Sequence, residues 1–577
     1  MAARQTRAKK TRGSSSARGK SQSRSVSFDP RGRLSLVFLL FLGVAVLLGV
    51  RLVWLTLVAG PANAEKAAVT RMLSIELPAK RGTIYDRNGV VLATSVDAVT
   101  VYCNPFEVTD PTGESAQLAA ILGGASTDYV DVLQTPDTTF AYVYRKADIE
   151  VAEKLEALEL DGIYMLDDSK RVYPCGTIAG QVVGICDVDG NGLSGLELYY
   201  DDLLGGDSGS LNMERGANGY PIAGGLYERV EPRDGEDIVI SIDVDMQEYL
   251  ENRLVQEVGT RQGKSGNALV YDGGTGEILA IASTPYLNPQ DRDHIKEGST
   301  ELKSITTAFE PGSIFKTVSA AAILEEGIME TSDTIFCPAE LPANEYIVSD
   351  AHDRGDETMT FRQIIRDSSN VGISLATEKM GFDKLYDYIL RYNLNDLTGV
   401  DYPGEASGFC TDVSTWTQIQ CYNVSFGQGI SVTPLQMARF YGALVNDGVE
   451  CTPHFLMSKP QTGEKVEYKT TQVIKNTDAI APLTSMLKDV VAAGTGVEAQ
   501  IEGYNPAGKT GTAEYASEGG SYVRGYYNIS FIGYLPDTDS QLVCFVGATE
   551  VPGDRITTPA FSDIMSYAID HYGITSQ

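Results

Sequence analysis

Phe309-Glu310-Pro311-Gly312-Ser313-Ile314-Phe315-Lys316 places a serine after Pro-Gly and a lysine three residues on, ahead of an apolar run with helical spacing over Thr317–Glu325. Pro-Gly ends an extended segment, so Ser313 opens a helix with Lys316 one turn along on the same face. A serine hydroxyl is a weak nucleophile until a base removes its proton. A lysine serves as that base when desolvation or a neighbouring cation lowers its pKa. The chemistry on offer is covalent, nucleophilic catalysis. A Ser-x-x-Lys tetrapeptide is cheap by chance, and Ser485-Met486-Leu487-Lys488 is a second one in the chain. Two downstream groups favour the first. Ser368-Ser369-Asn370 presents another hydroxyl and an amide on one turn, and Ala507-Gly508-Lys509-Thr510-Gly511-Thr512-Ala513 is a Lys-Thr-Gly leading a strand.

Other routes to the same chemistry are poorly supplied. The four histidines (294, 352, 454, 571) show no metal-type spacing. His352 stands beside Asp353, but a Ser-His-Asp triad is superfluous where Lys316 already offers a base. The eight cysteines are scattered with no Cys-x-x-Cys, so isolated buried thiols are expected and no zinc site is suggested. Neither metal nor cofactor is expected.

The elements that must position these groups belong to a chain of several domains, since 577 residues exceed what one core organises. Residues 1–33 carry ten Lys/Arg against Asp29, a charge of +9, whereas the whole chain is −31, leaving −40 on the remainder. Only that tail could neutralise phosphates, so no nucleic-acid partner is expected. Leu34–Val50 is free of charge and spans roughly 25 Å as a helix; continued past Arg51 to Val58, it covers a bilayer core. We therefore read 1–33 as a basic cytoplasmic tail and 34–58 as a single transmembrane helix, with everything after about residue 60 outside the cell membrane. Ala62-Asn63-Ala64 has the form of a signal-peptide cleavage site, but the apolar stretch is too long for a signal h-region.

Residues 65–230 mix short β-branched runs with Gly/Asp/Asn punctuation and a polar helical stretch near Ile149–Leu158, reading as an extended, strand-containing module. A turn cluster at Glu231–Asp237 precedes a strand pattern at Ile238–Ile242, and 231–577 reads as one α/β domain. There, Asn267–Asp272 and Glu277–Ala282 flank Gly273-Gly274-Thr275-Gly276 as a hairpin, and Ile529–Leu535 with Leu542–Ala548 forms a second strand pair. Helical patterns at Thr317–Glu325 and Leu435–Val445 lie between them, so the sheet draws strands from both ends of the domain.

The order Ser313-x-x-Lys316, Ser368-x-Asn370, Lys509-Thr510-Gly511 matches the trio of penicillin-binding proteins and class A β-lactamases, with Ser369 in place of the middle Asp. Ser485 fails that order, and so does Ser210-Leu211-Asn212, which precedes the nucleophile. Upstream, Arg81–Gly89 (RGTIYDRNG), Arg171-Val172-Tyr173-Pro174 and Gly192–Glu197 with Asp201 are also similar to family sequence, as are Phe426–Ile430 and Thr433–Gln436. From Leu34 on, the chain resembles the class B penicillin-binding proteins, division-type members most.

The resemblance implies an α/β (α+β) penicillin-binding transpeptidase domain, an antiparallel sheet flanked by helices, above an elongated β-rich pedestal of dimerisation type. It implies a D,D-transpeptidase that cross-links peptidoglycan stem peptides through a serine acyl-enzyme, is acylated by β-lactams and serves septal wall synthesis. Elongation- or sporulation-specific transpeptidases and β-lactam-hydrolysing or -sensing proteins are the alternatives. Ser313 would be the nucleophile and Lys316 the general base, with Ser368 as proton relay, Asn370 orienting substrate and Lys316, and Lys509 supplying positive charge. Thr510, Gly511 and Thr512 would bind substrate, and the Ser313 and Thr512 N–H groups would form the oxyanion hole. No glycosyltransferase-like segment precedes the pedestal, so a polytopic glycan polymerase and divisome proteins are the partners expected in the membrane.

Overall fold

The computed structural model describes residues 30–60, 72–214, 225–516, 522–553 and 555–577. The basic tail up to residue 29 and the Ala62-Asn63-Ala64 site lie outside these. The described chain falls into two units, one of residues 1–75 with 211–229, the other of 76–210 with 230–577.

In the first unit a helix runs over Pro30–Val53 and continues as a π-turn over Trp54–Val58. Residues 34–58 are long and apolar enough to cross a membrane, and their side chains are exposed. Arg51 lies over the Trp54 ring, 5.1 Å from its centroid, which shields the one charge of the stretch. Strands Met72–Leu77, Gly209–Glu214 and Tyr227–Val230 pair into a small sheet.

The second unit begins with a pedestal around the strand Val91–Cys103, which pairs with Ile84–Tyr85, Ala141–Ala147 and Ile163–Val172. Helices Pro111–Leu122, Ser126–Leu133 and Ile149–Glu156 contribute Leu118, Leu133 and Leu155 to a core with Val101 and Val143. Below it, three of the motifs noted in the sequence converge on one buried carboxylate. Glu197 accepts from Arg81 Nε at 2.5 Å and Arg171 Nε at 2.7 Å, while Asp201 takes Arg81 Nη1 at 2.6 Å. Arg171 also donates to the Gly82 carbonyl at 2.7 Å through Nη1, so main chain as well as charge holds this guanidinium, while its buried Nη2 has no partner.

Strand Ile238–Ile240 runs parallel to Ile84–Tyr85 and on its other side meets Leu456–Lys459, so one sheet continues from pedestal to catalytic region. The main sheet has five antiparallel strands in the order Ile278–Ser283, Ser265–Asp272, Leu542–Pro552, Tyr522–Tyr534, Ala507–Ala516. Both expected strand pairs are present, with Ile278 opposite Tyr271 and Ile532 opposite Phe545. Its apolar runs are sorted by the two-residue period of a strand. Ala268, Val270, Cys544 and Val546 face helices Val244–Arg261 and Thr558–Tyr572. Leu269, Tyr271, Val543 and Phe545 face Lys316–Glu325 and Pro434–Val445. Ala507–Ala516, which carries Lys509, is left as the edge strand.

Candidate active site

Ser313 lies in a 3₁₀ turn, Gly312–Phe315, that runs directly into the helix Lys316–Glu325. Gly312 has φ +55° and donates its N–H to Gly427 O at 2.9 Å; a Cβ there would stand 2.9 Å from Thr512 O. From the opposite side, a Cβ on Gly511 would meet Ser530 Oγ at 2.3 Å, Ile314 Cγ2 at 3.0 Å and Pro311 O at 3.2 Å. The glycine of Lys-Thr-Gly is thus the gap that lets the nucleophile turn touch the sheet edge. Ser313 is partly exposed and Thr512 exposed, whereas Lys316 and Lys509 are fully buried.

Helix Phe361–Arg366 ends two residues before Ser368, and Ser369 caps the next helix, Asn370–Met380, accepting from Gly372 N–H at 2.9 Å. The break holds Ser368 at φ +59°, a left-handed conformation that costs a non-glycine residue about 1 kcal/mol or more. It turns the Ser368 hydroxyl between the two buried amines, 3.1 Å from Lys316 Nζ and 3.0 Å from Lys509 Nζ. Lys316 Nζ also donates to Ser368 O at 2.5 Å and Asn370 Oδ1 at 2.7 Å. Lys509 Nζ reaches Thr510 Oγ1 at 3.4 Å, and Thr510 shares a 2.7 Å hydroxyl contact with Thr495.

Burial without a carboxylate partner favours the uncharged amine. Burial and then the nearby Lys509 charge hold Lys316 well below the usual lysine range, against a smaller opposing pull from Asp350. Burial pushes Lys509 down to about 7. The shift favours Lys316 as the free base, and at neutral pH Lys509 is divided between its two forms. The charge expected of Lys509 becomes secure once an anion lies beside it.

One sheet-edge turn, one helix junction and one edge strand thus bring a hydroxyl and two amines from three distant stretches into a single groove. Residues 266–566 match the penicillin binding protein transpeptidase domain family, and residues 76–240 match the penicillin-binding protein dimerisation domain family. Stage V sporulation protein D of Bacillus subtilis is 30% identical over 569 residues, covering 94% of this chain and 86% of that protein. The peptidoglycan D,D-transpeptidase FtsI of Escherichia coli is 28% identical, covering 91% and 89%. Penicillin binding protein 3 of Mycobacterium tuberculosis, solved in complex with aztreonam, superposes with a TM-score of 0.68 at 26% identity, over 87% of this chain and 98% of that one. The chain is a class B penicillin-binding protein. It is a D,D-transpeptidase of peptidoglycan synthesis, and peptidoglycan and β-lactams are the ligands of its family.

Other segments of this penicillin-binding protein that raised rival readings sit elsewhere. Arg391, which stands where a deacylating glutamate would be in Glu-x-x-Leu-Asn, pairs with Glu325 at 2.6 Å. Glu325 ends the helix that Lys316 begins, so Arg391 lies roughly 13 Å along the axis from the site. His352 is exposed on a loop. Ser485 accepts from Arg362 at 3.1 Å and Lys488 pairs with Asp537, which removes both from catalysis. The eight cysteines are free thiols. His571 meets Asp243 at 3.0 Å with Asp245 nearby, but Asp243 is spent capping the helix Val244–Arg261.

Asp350 carries no mark in the sequence. Its carboxylate accepts from Ser369 Oγ at 2.8 Å, Val371 N–H at 3.0 Å and Arg354 Nε at 2.5 Å. Burial opposes its ionisation, yet these donors hold it below the usual carboxylate range. The acid missing from the middle of Ser-Ser-Asn is thus supplied from 19 residues upstream, with Ser369 as intermediary. No local spacing marks it. Thr495 is likewise an isolated threonine with no motif around it.

Proposed function

We propose that Ser313 attacks the penultimate D-alanyl carbonyl of a donor stem peptide, releasing D-alanine and leaving an acyl-enzyme that the amine of a second stem resolves. The observation that carries this reading is Ser368 Oγ lying about 3 Å from both buried lysine Nζ atoms, beside the Ser313 turn. Lys316, as free base, takes the Ser313 proton. Ser368 passes a proton to the departing amine, Asn370 holds Lys316 and the substrate amide, and Lys509 with Thr510 and Thr512 receives the terminal carboxylate. The N–H groups of Ser313 and Thr512 bind the oxyanion, a contribution of roughly 3–4 kcal/mol per donor in acyl-transfer enzymes; the close contact of Gly312 with the Thr512 carbonyl supports this pairing. Labelling with a fluorescent penicillin tests the mechanism. We expect persistent labelling that disappears in Ser313→Ala; rapid turnover of the label would instead mean a hydrolase, and no labelling of the wild type would refute acyl transfer.

The domain division that fits these residues is a cytoplasmic tail over 1–33, a membrane helix over 34–58, a pedestal over 65–230 and the transpeptidase over 231–577. The apolar, exposed helix and the basic segment before it support an anchor with the N-terminus in the cytoplasm and the enzyme outside. A polytopic glycan polymerase is the partner of that helix. Co-purification with such a protein should require residues 1–58, and association without them would remove the idea. The similarity to division-type members supports a septal role; the 30% identity to a stage V sporulation protein favours a second reading, action during sporulation. A tagged copy enriched at the division plane of growing cells supports the first, and one seen in sporulating cells alone supports the second.

A further inference from the structure

The nucleophile helix Lys316–Glu325 and the helix Asn370–Met380 carry the base and its amide partner, and the distance between them decides whether Lys316 reaches Ser368 and Asn370. Behind the groove, one short segment at the end of helix Gln418–Ser425 touches both. Ser319, one turn after Lys316, donates its hydroxyl to the Ser425 carbonyl at 2.7 Å. Ser374, one turn after Asn370, lies with its hydroxyl 3.2 Å from Ser425 Oγ. Ser425 Oγ in turn donates to Tyr422 O at 2.5 Å. With that proton committed, Ser374 is the donor in the hydroxyl pair, its proton shared between Ser425 Oγ and the Tyr422 carbonyl at 3.5 Å.

All three serines are fully buried. Two residues on, Gly427 accepts from Gly312 N–H at 2.9 Å, and a Cβ on Gly427 would strike Gly312 O at 2.3 Å and Phe315 Cβ at 2.7 Å. Residues 425–427 therefore hold the turn that bears Ser313, the helix that bears Lys316 and the helix that bears Asn370.

We propose that Ser425 is a positioning residue for acyl transfer, its carbonyl and hydroxyl setting the spacing of the two helices and thereby the contact of Lys316 with Ser368 and Asn370. The inference rests on the serine mechanism proposed above. Its physical basis is that misplacement of a catalytic group by about 1 Å costs on the order of a hundred-fold in rate, while loss of one buried serine hydroxyl moves the Tm of a domain of this size by only a few degrees. Ser425→Ala leaves the Ser319 bond to the backbone intact and removes the link to Ser374 together with the local bond from Ser425 Oγ to Tyr422 O.

The test measures acylation of the full-length protein by a fluorescent penicillin as a function of pH in wild type, Ser425→Ala, Ser374→Ala, the double variant and Ser313→Ala, together with Tm. Ser425→Ala is expected to acylate roughly ten- to a hundred-fold more slowly, with Tm nearly unchanged. Its acidic limb should move to higher pH, because a loosened groove admits water and lets Lys316 hold its proton more strongly. Ser374→Ala should behave alike, and the double variant should be no slower than the worse single, as for two ends of one contact. Wild-type acylation and an unmoved limb in Ser425→Ala overturn the proposal, as does a multiplicative double variant or a lower Tm with normal acylation. If the wild type is not labelled, or Ser313→Ala is, the serine mechanism itself fails.

Discussion

Two buried lysines within reach of one serine hydroxyl are costly to fold around. A lysine whose folded pKa lies below its unfolded value binds fewer protons when folded, so stability rises with pH between the two values. For Lys509 that window runs from about 7 to the ordinary value of 10.5. Lys509→Met keeps the apolar stem and removes the titration. The variant should lose most acylation, by roughly a hundred-fold, yet melt no lower than wild type at pH 7. Between pH 7 and 10 the wild type should gain Tm relative to it, and a constant difference across that range would show that Lys509 is charged when buried. The residues gathered at the candidate site were legible in the sequence because their types, spacing and order are constrained together. Asp350, Thr495 and Ser425 were not, because each is a common residue with no neighbour at a fixed interval, and its role exists only after folding.

At the scale of elements, the site is the contact between a turn and an edge strand, and Gly511 sets how close they come. Gly511→Ala places a methyl against Ser530 Oγ, Ile314 and Pro311 O. Overpacking of this kind costs about 1–3 kcal/mol, and here the relief is to move the strand away from Ser313. Acylation should fall by at least ten-fold while Lys316 stays buried, and a variant that acylates normally would show that the turn and the strand edge need not touch. The hairpin at 267–282 was readable from its glycines, and the strands of the main sheet from their apolar runs. The pairing of Ile238–Ile240 with Ile84–Tyr85 was not, since a parallel partner 154 residues away leaves no local trace.

Over the whole molecule, pedestal and catalytic region share that sheet, and Glu197 with Arg81 and Arg171 forms a buried charge centre beside it. Glu197→Gln leaves buried Arg171 without a counter-charge and Arg81 with Asp201 alone, an imbalance worth about 3–5 kcal/mol. Tm should drop by several degrees while the protein still folded at low temperature is acylated at the normal rate; an unchanged Tm would mean that Asp201 and the Gly82 carbonyl suffice. The five-stranded sheet has a separate consequence. Leu542–Pro552 lies between Ser265–Asp272 and Tyr522–Tyr534, so the strands that frame the groove have no common neighbour until the polypeptide has been delivered almost in full. As the chain emerges the Ser313 segment is therefore complete long before the Lys509 strand is fixed beside it, and any substrate met in that interval encounters an inert hydroxyl.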